Sequence, residues 1–438
     1  PHTRRRLDAG AYDRSMPSLQ NLTESKTHSP TATISRRAAL RLASGHVWVY
    51  RSDITRLVPE MPAAGLMQVL DPAGRPLGTA LWSAASQIAL RLLAPDLLSP
   101  DQWMEVLAER LDAAIGRRLA LPAPEGATDS CRLVFSEADA LPGIIIDKYA
   151  AIAVLQLLAA GVDLDAVRAA VVAALTRNFP AGEAGLQTIL ERPDPRIREL
   201  EALAAPEAAP LWTAAADPES AQRKTEFHLN GLRFLYDADA GQKTGAFLDQ
   251  RENYRLAARY GHGDALDMCC YQGGFALHLA TTCRAVTGLD TSAAALAVAE
   301  QNLALNREAL GVIPVEWVQG DAFQAMRDWS DAGDEYDTIV LDPPAFAKSQ
   351  RAAENAMRGY KELNLRAFKM LRPGGTLVTC SCSHHVSLQD FQAVVAAAAG
   401  DAGRRVRLIE RTGAAPDHPV VLTIPETEYL KCLVLEVE

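Results

Sequence analysis

Between residues 226 and 438, short strand-like runs alternate with helical stretches, and this alternation constrains the fold more than any other feature. Ala265–Met268, Ala285–Leu289, Val315–Gln319, Thr338–Leu341 and Thr376–Cys380 read as strands. Phe275–Thr281, Ala293–Asn306, Phe323–Trp329 and Asn364–Leu371 read as the helices between them. Strands separated by helices pair in parallel, because a crossover helix returns the chain to the same end of the sheet. The fold class expected is α/β, a parallel sheet covered by helices on both faces. Val420–Ile424 and Leu433–Val437 are expected to add a late antiparallel pair.

The chain before this region has different rhythms. Residues 1–32 are polar, carry Arg4-Arg5-Arg6, show no periodicity and read as a disordered arm. Residues 33–105 hold one helical stretch, Arg36–Ala43, among short strands. The turn Asp71-Pro-Ala-Gly74 marks a hairpin, and Ile88, Leu90 and Leu92 alternate along a further strand. A small β-barrel closes strands of that length. Residues 106–205 mix strands with the helix Asp163–Leu175 and read as a small α+β (EEHEE-like) domain. The Ala/Pro-rich stretch 206–225 is expected to be a linker.

In a parallel sheet the ligand crevice lies beyond the carboxyl ends of the strands. The first strand leads into Asp267-Met-Cys-Cys-Tyr-Gln-Gly-Gly-Phe275, whose glycines allow close backbone approach before a helix. The second ends at Asp290, placed to bridge the two hydroxyls of a ribose, the third at Asp321 and the fourth in Asp342-Pro-Pro-Ala-Phe346. Each aspartate alone could be a helix N-cap; four in succession fit a nucleoside site better. Neither G-x-G-x-x-G nor a P-loop is present, which argues against dinucleotides and nucleoside triphosphates. S-adenosylmethionine, which needs ribose and adenine contacts but no pyrophosphate cradle, fits.

The two prolines after Asp342 stiffen the loop, so that Asp342, the carbonyls of Pro343 and Pro344 and the ring of Phe346 could receive a planar, amino-bearing base. The fifth strand runs into Cys380-Ser-Cys-Ser383. Cys380 keeps the strand pattern and reads as a buried structural thiol. Cys382 stands at the exit and reads as a nucleophile able to attack carbon 6 of a pyrimidine, which activates carbon 5 toward a methyl donor. Cys269-Cys270 with Cys380 and Cys382 lacks zinc spacing, and no metal is expected. Cys269 is expected to line the cofactor pocket. Lys243 and Arg251, flanking the start of a helix read at Phe247–Tyr260, are counted with the cofactor-binding residues because they could meet a carboxylate or phosphate.

The strings GQKTGAFLDQREN from Gly241, CYQGGF, LDPPAF, RGYKELN at Arg358–Asn364 and the SCS triplet resemble the RlmI family of 23S ribosomal RNA cytosine-5 methyltransferases. The resemblance spans residues 33–438. It implies a PUA-like domain, a small α+β domain and a Rossmann-like class I methyltransferase domain. It also implies that Cys382 is the nucleophile and that Asp342 holds the protonated ring nitrogen of the attacked base. Asp267, Tyr271, Gly273, Asp290 and Asp321 fall on cofactor positions, and Cys269 on a position that is also Cys in relatives. The loop after the fourth strand has no cysteine, so a two-cysteine mechanism is not expected. Relatives suggest a homodimer.

The formal charge of −10 seems to disfavour a nucleic-acid partner. It is unevenly spread: residues 1–80 hold 11 basic and 6 acidic groups, whereas residues 206–438 hold 22 and 31. Phosphates respond to local charge, so RNA binding is assigned to the barrel. Seven cysteines, an odd number, and the lack of any apolar run of about 18 residues point to a cytoplasmic protein with no membrane span. Two other functions stay open: guanine-N7 methylation, which needs no cysteine, and a non-catalytic RNA-binding or assembly role.

Overall fold

The computed structural model describes residues 30–57, 62–122, 126–182, 185–240, 245–346 and 353–438. Most of the expected arm, and Lys243, lie outside the described residues. The first strand begins at Thr31, inside the stretch assigned to the arm. Among the described residues no helix is long and apolar enough to cross a membrane.

Strands β1 (Thr31–Ile34), β2 (Trp48–Tyr50), β3 (Ile54–Leu57), β4 (Ala64–Leu70), β5 (Pro76–Ser83) and β6 (Ile88–Ala94) form one curled sheet in the order β2-β6-β5-β4-β1-β3. Its two edge strands are joined by the single turn Arg51–Asp53. Asp53 is buried there and accepts hydrogen bonds from Ser35, Arg37 and Arg41 at 3.1, 2.8 and 2.9 Å. One carboxylate thereby pins the helix Arg36–Ala43 to the turn. It also occupies two of the barrel's arginines.

The second unit is the sheet β7 (Ser130–Phe135), β8 (Ile144–Tyr149), β9 (Ile152–Leu157), β10 (Thr188–Glu191) and β11 (Trp212–Thr213), in the order β11-β10-β9-β8-β7. Two expected boundaries move. The helix Pro100–Leu119 starts before residue 106 and packs on the helix Asp165–Asn178 of this unit. The expected linker 206–225 contains β11, which pairs antiparallel with β10 through Ile189 and Trp212. A two-residue strand among Ala and Pro has no periodicity to reveal it.

A hairpin, β12 (Lys224–Leu229) and β13 (Leu232–Asp237), bridges to the third unit. Tyr236 stacks on Tyr149 with ring centroids 4.3 Å apart. On the other side, Asn302 and Asn306 accept the Leu235 and Arg233 N–H groups at 2.8 and 2.9 Å, so helix side chains complete the edge of the strand.

The third unit is the seven-stranded sheet β16-β15-β14-β17-β18-β20-β19. Its strands are β14 (Asp264–Met268), β15 (Ala285–Asp290), β16 (Val315–Gln319), β17 (Tyr336–Leu341), β18 (Leu371–Ser381), β19 (Val406–Thr412) and β20 (Lys431–Val437). The first five are mutually parallel, and β20 is antiparallel to both neighbours. The expected late pair is corrected: the partner of β20 is Val406–Thr412, whereas Val420–Ile424 contributes only an isolated bridge. Apolar content had favoured Val420–Ile424; β19 is a charged edge strand, the kind that discourages further pairing.

Residues 413–430, between β19 and β20, form a strap across all three units. The Ala415 N–H donates to the Asp249 carbonyl at 2.8 Å. Asp417, fully buried, accepts from Arg251 and from the Arg132 N–H. Glu426 meets His46 of the barrel at 3.1 Å.

Candidate functional site

Strand order reverses between β14 and β17, and the register Met268↔Leu341 sets the loops after these strands side by side. This is the position where open parallel sheets hold ligands.

The loop after β14 is bent at three residues with left-handed backbone, Cys269, Tyr271 and Gly273, at φ 65°, 50° and 85°. For Cys269 and Tyr271 this conformation costs about 1 kcal/mol or more each, and surrounding contacts must hold it. The Tyr271 N–H donates to Asp290 at 2.9 Å, and the Cys270 N–H to the Leu289 carbonyl at 2.9 Å. At Gly273 the left-handed backbone angle calls for glycine, and a Cβ would also sit tightly, 3.0 Å from the Trp317 ring.

Asp267 is fully buried. One oxygen accepts the Ala276 N–H of the helix Gly274–Leu279 at 2.8 Å, and the other has no partner. Burial, followed by the charge of Asp342, pushes its carboxyl well above the usual range. A buried polar atom left unpaired costs roughly 1–3 kcal/mol, which a ligand donor would relieve. Asp290 ends β15 half-buried, with its oxygens accepting the Tyr271 and Ser292 N–H groups. Exposed Asp321 caps the helix Ala322–Ala332, accepting the Gln324 N–H at 2.9 Å. The orphaned oxygen and the carboxylates at successive strand ends fit a ligand with an amino group and a ribose, as S-adenosylmethionine has.

The other half of the site joins β17 to β18. Cys382 leaves β18 half-buried, and its thiol donates to the Pro343 carbonyl with sulfur and oxygen 3.9 Å apart. Cys382 and the Asp342-Pro-Pro loop are therefore adjacent. Pro343 is buried and Pro344 exposed. The Phe346 ring packs between Phe323 and Tyr360, with centroids at 5.6 and 4.9 Å, so the contacts seen for it are supporting ones rather than an open stacking face.

The Ser-Cys-Ser triplet is held by a residue with no expected role. Tyr360, buried in the helix Ala353–Met370, has its hydroxyl 2.9 Å from both Ser381 Oγ and Ser383 Oγ. Burial pushes this phenol up to about 12, so it stays neutral and can both donate and accept. Its segment, RGYKELN, was visible as a motif, but only the fold shows that it reaches the cysteine loop. Tyr360→Phe removes one hydrogen-bond partner from each of two buried serine hydroxyls. A loss of roughly 1–3 kcal/mol in urea unfolding is expected, and an unchanged midpoint would show the clamp to be dispensable.

Other cysteines behave differently. Cys380 lies opposite Cys432 in the β18–β20 ladder, and both are fully buried. The hydrogen bond with Cys432, then burial, raises the Cys380 thiol well above its ordinary value. Burial likewise raises Cys269 and Cys270, so both remain thiols near Asp267 and Asp290. None of the seven cysteines forms a disulfide.

The assignment of Arg251 to the cofactor is corrected. Its guanidinium is buried and donates to Asp417 at 3.2 Å from each of two nitrogens, with the Ser130 carbonyl at 3.5 Å. The carboxylate that Arg251 meets belongs to the strap, 166 residues away in sequence.

The profile of S-adenosylmethionine-dependent methyltransferases matches residues 198–435, and that of PUA-like domains matches residues 32–95. The chain is 38% identical to ribosomal RNA large subunit methyltransferase I of Shewanella amazonensis, over 90% of this chain and 95% of that protein. With the protein of the same name from Salmonella arizonae it shares 36%, over 92% and 96%. Among solved structures, SMU.776 complexed with SAH is similar, with a TM-score of 0.74 at 18% identity. It covers 93% of this chain and 99% of that one, a likeness of fold.

Proposed function

Because this chain belongs to the S-adenosylmethionine-dependent methyltransferases, and within them to the family of ribosomal RNA large subunit methyltransferase I, we propose that it methylates carbon 5 of a cytosine in 23S ribosomal RNA through a covalent bond to Cys382. The observation that carries this reading is the contact between the Cys382 thiol and the Pro343 carbonyl, which sets a nucleophile against the loop that begins with Asp342.

S-adenosylmethionine, when bound, supplies an electrophilic methyl group on a sulfonium. Asp267, Asp290, Asp321 and the Cys269–Gly273 turn would hold it. The Cys382 thiolate adds to carbon 6 of the base, and the electron pair moves to carbon 5, which takes the methyl group. Asp342 holds the protonated ring nitrogen, so the charge developing on the ring is neutralised where it forms. Loss of the carbon 5 proton then expels the thiolate by β-elimination and restores the enzyme. Pro343 and Pro344 keep the loop extended, with little conformational freedom to lose when the base enters. RNA containing 5-fluorocytosine tests this route, because fluorine cannot leave as a proton and the adduct persists. A gel-stable protein–RNA adduct mapping to the peptide of Cys382 is expected. Methyl transfer without any adduct would overturn the reading in favour of guanine-N7 chemistry, and failure to bind the cofactor would favour a non-catalytic role.

RNA engagement is assigned to the barrel, where the basic surplus lies. Arg41 is drawn toward Asp53 and Arg37, although paired with the same carboxylate, stays 76% exposed, so Arg37 is the one of the two able to face phosphate.

A further inference from the structure

Lys431 opens β20 directly opposite Ser381, the residue before Cys382, in the antiparallel ladder. It is buried, only 5% exposed. Its ammonium donates to the Ser383 carbonyl at 2.8 Å and to the Tyr429 carbonyl at 2.9 Å. Among the described residues no carboxylate pairs with it. An ammonium taken out of water and given only neutral carbonyls is poorly compensated, and buried cations are ordinarily paired. Something beyond packing should keep a lysine at this position.

The surroundings name the missing partner. Among the described residues, the titratable groups around the nucleophile loop are Asp342 after β17, Tyr360 from its helix, Cys380 in β18, His384 and His385 in the loop, and Glu428, Tyr429, Lys431 and Cys432 on the strap and β20. Among these described groups Lys431 is the one lysine or arginine. Asp342, being negative, opposes ionisation of a neighbouring thiol; a nearby ammonium favours it. Burial lowers the pKa of Lys431, and Cys382 is the first of the groups that oppose this lowering.

We propose that Lys431 is a positioning residue for the reaction: its ammonium is the counter-charge of the Cys382 thiolate, and its bond to the Ser383 carbonyl fixes the loop that presents the sulfur. The inference rests on Cys382 being the nucleophile. The ladder explains how a residue far away in sequence can serve this purpose. Insertion of β20 beside β18 delivers a cation beneath the exit of the strand that carries the cysteine.

The test is the pH dependence of Cys382 alkylation by iodoacetamide in the full chain, followed by mass spectrometry of its peptide. Lys431→Met is expected to move the alkylation midpoint up by about one pH unit, so that the rate at pH 7 falls about tenfold. Lys431→Arg should keep the midpoint near that of the unaltered chain. If Lys431→Met does not fold, Lys431→Gln carries the same test, because its amide can still donate to the two carbonyls without a charge. A midpoint that stays put in the neutral variant while methyl transfer falls would reduce Lys431 to scaffolding and overturn the proposal. Full methyl transfer by Cys382→Ala would instead sink the reading beneath it, whatever the alkylation midpoints show.

Discussion

Replacing Cys382 with alanine is expected to lower methyl transfer by at least about a thousandfold while leaving affinity for S-adenosylmethionine within about a factor of two. The two effects separate because the thiol and the carboxylates proposed to hold the cofactor sit on different strands. Cys382 follows β18 and touches the loop after β17, whereas Asp267 lies in β14, Asp290 ends β15 and Asp321 follows β16. The substitution removes one half-buried sulfur and leaves the Tyr360 clamp on Ser381 and Ser383 in place, so little stability should be lost. Single-turnover transfer of a labelled methyl group and calorimetric titration of the cofactor provide the two readings. Residual transfer near the normal rate would exclude the covalent route; lost cofactor binding would mean that the loop shapes that pocket as well.

Arg251→Met is expected to destabilise the chain by roughly 3 kcal/mol in urea unfolding, because removing the arginine strips a buried carboxylate of a bidentate partner and leaves it only His418 and the Arg132 N–H. Asp417 is fully buried. Burial alone would raise its carboxyl; His418, Arg251 and the Arg132 N–H together hold it well below the usual carboxylate range. Methionine fills much of the volume of arginine, so the loss would come from the charge rather than from a cavity. Asp417→Asn in the same chain should recover part of it, since an amide tolerates the site without a cation. At temperatures where Arg251→Met is folded, its cofactor affinity should match that of the unaltered chain, whereas a cofactor-binding arginine would cost affinity directly. Equal stability of the variant and the unaltered chain would refute the strut.

How far the sequence reveals this molecule depends on whether a signal is local. Alternation of strands and helices was legible because each crossover lies within about 30 residues, and the carboxylates at strand ends followed from the strands. Cys382 could be separated from Cys380 by its place at the strand exit. The start of the helix at Pro100 was also written locally, as Ser99 and Gln102 in a capping box, and apolar periodicity from Leu107 onward obscured it. Other features have no local trace. The partner of Arg251 is 166 residues away, and the clamp from Tyr360 to the serines needs β18 laid beside the helix. Edge strand β19 was hidden by its own charges.

The strap has a consequence for how the chain is made. Domains emerging from a ribosome usually fold in order, each completing before the next appears. Here the Arg118 guanidinium, in the helix Pro100–Leu119, donates to the Asp417 carbonyl at 3.0 Å, and the N–H of Arg132 donates to the Asp417 side chain at 2.9 Å. His46, still earlier, waits for Glu426. The N-terminal half therefore stays incompletely bonded until the strap, with Asp417 and Glu426, has been synthesised. Its final consolidation waits for the strap, and β20, which follows the strap, reaches the cysteine strand only after that.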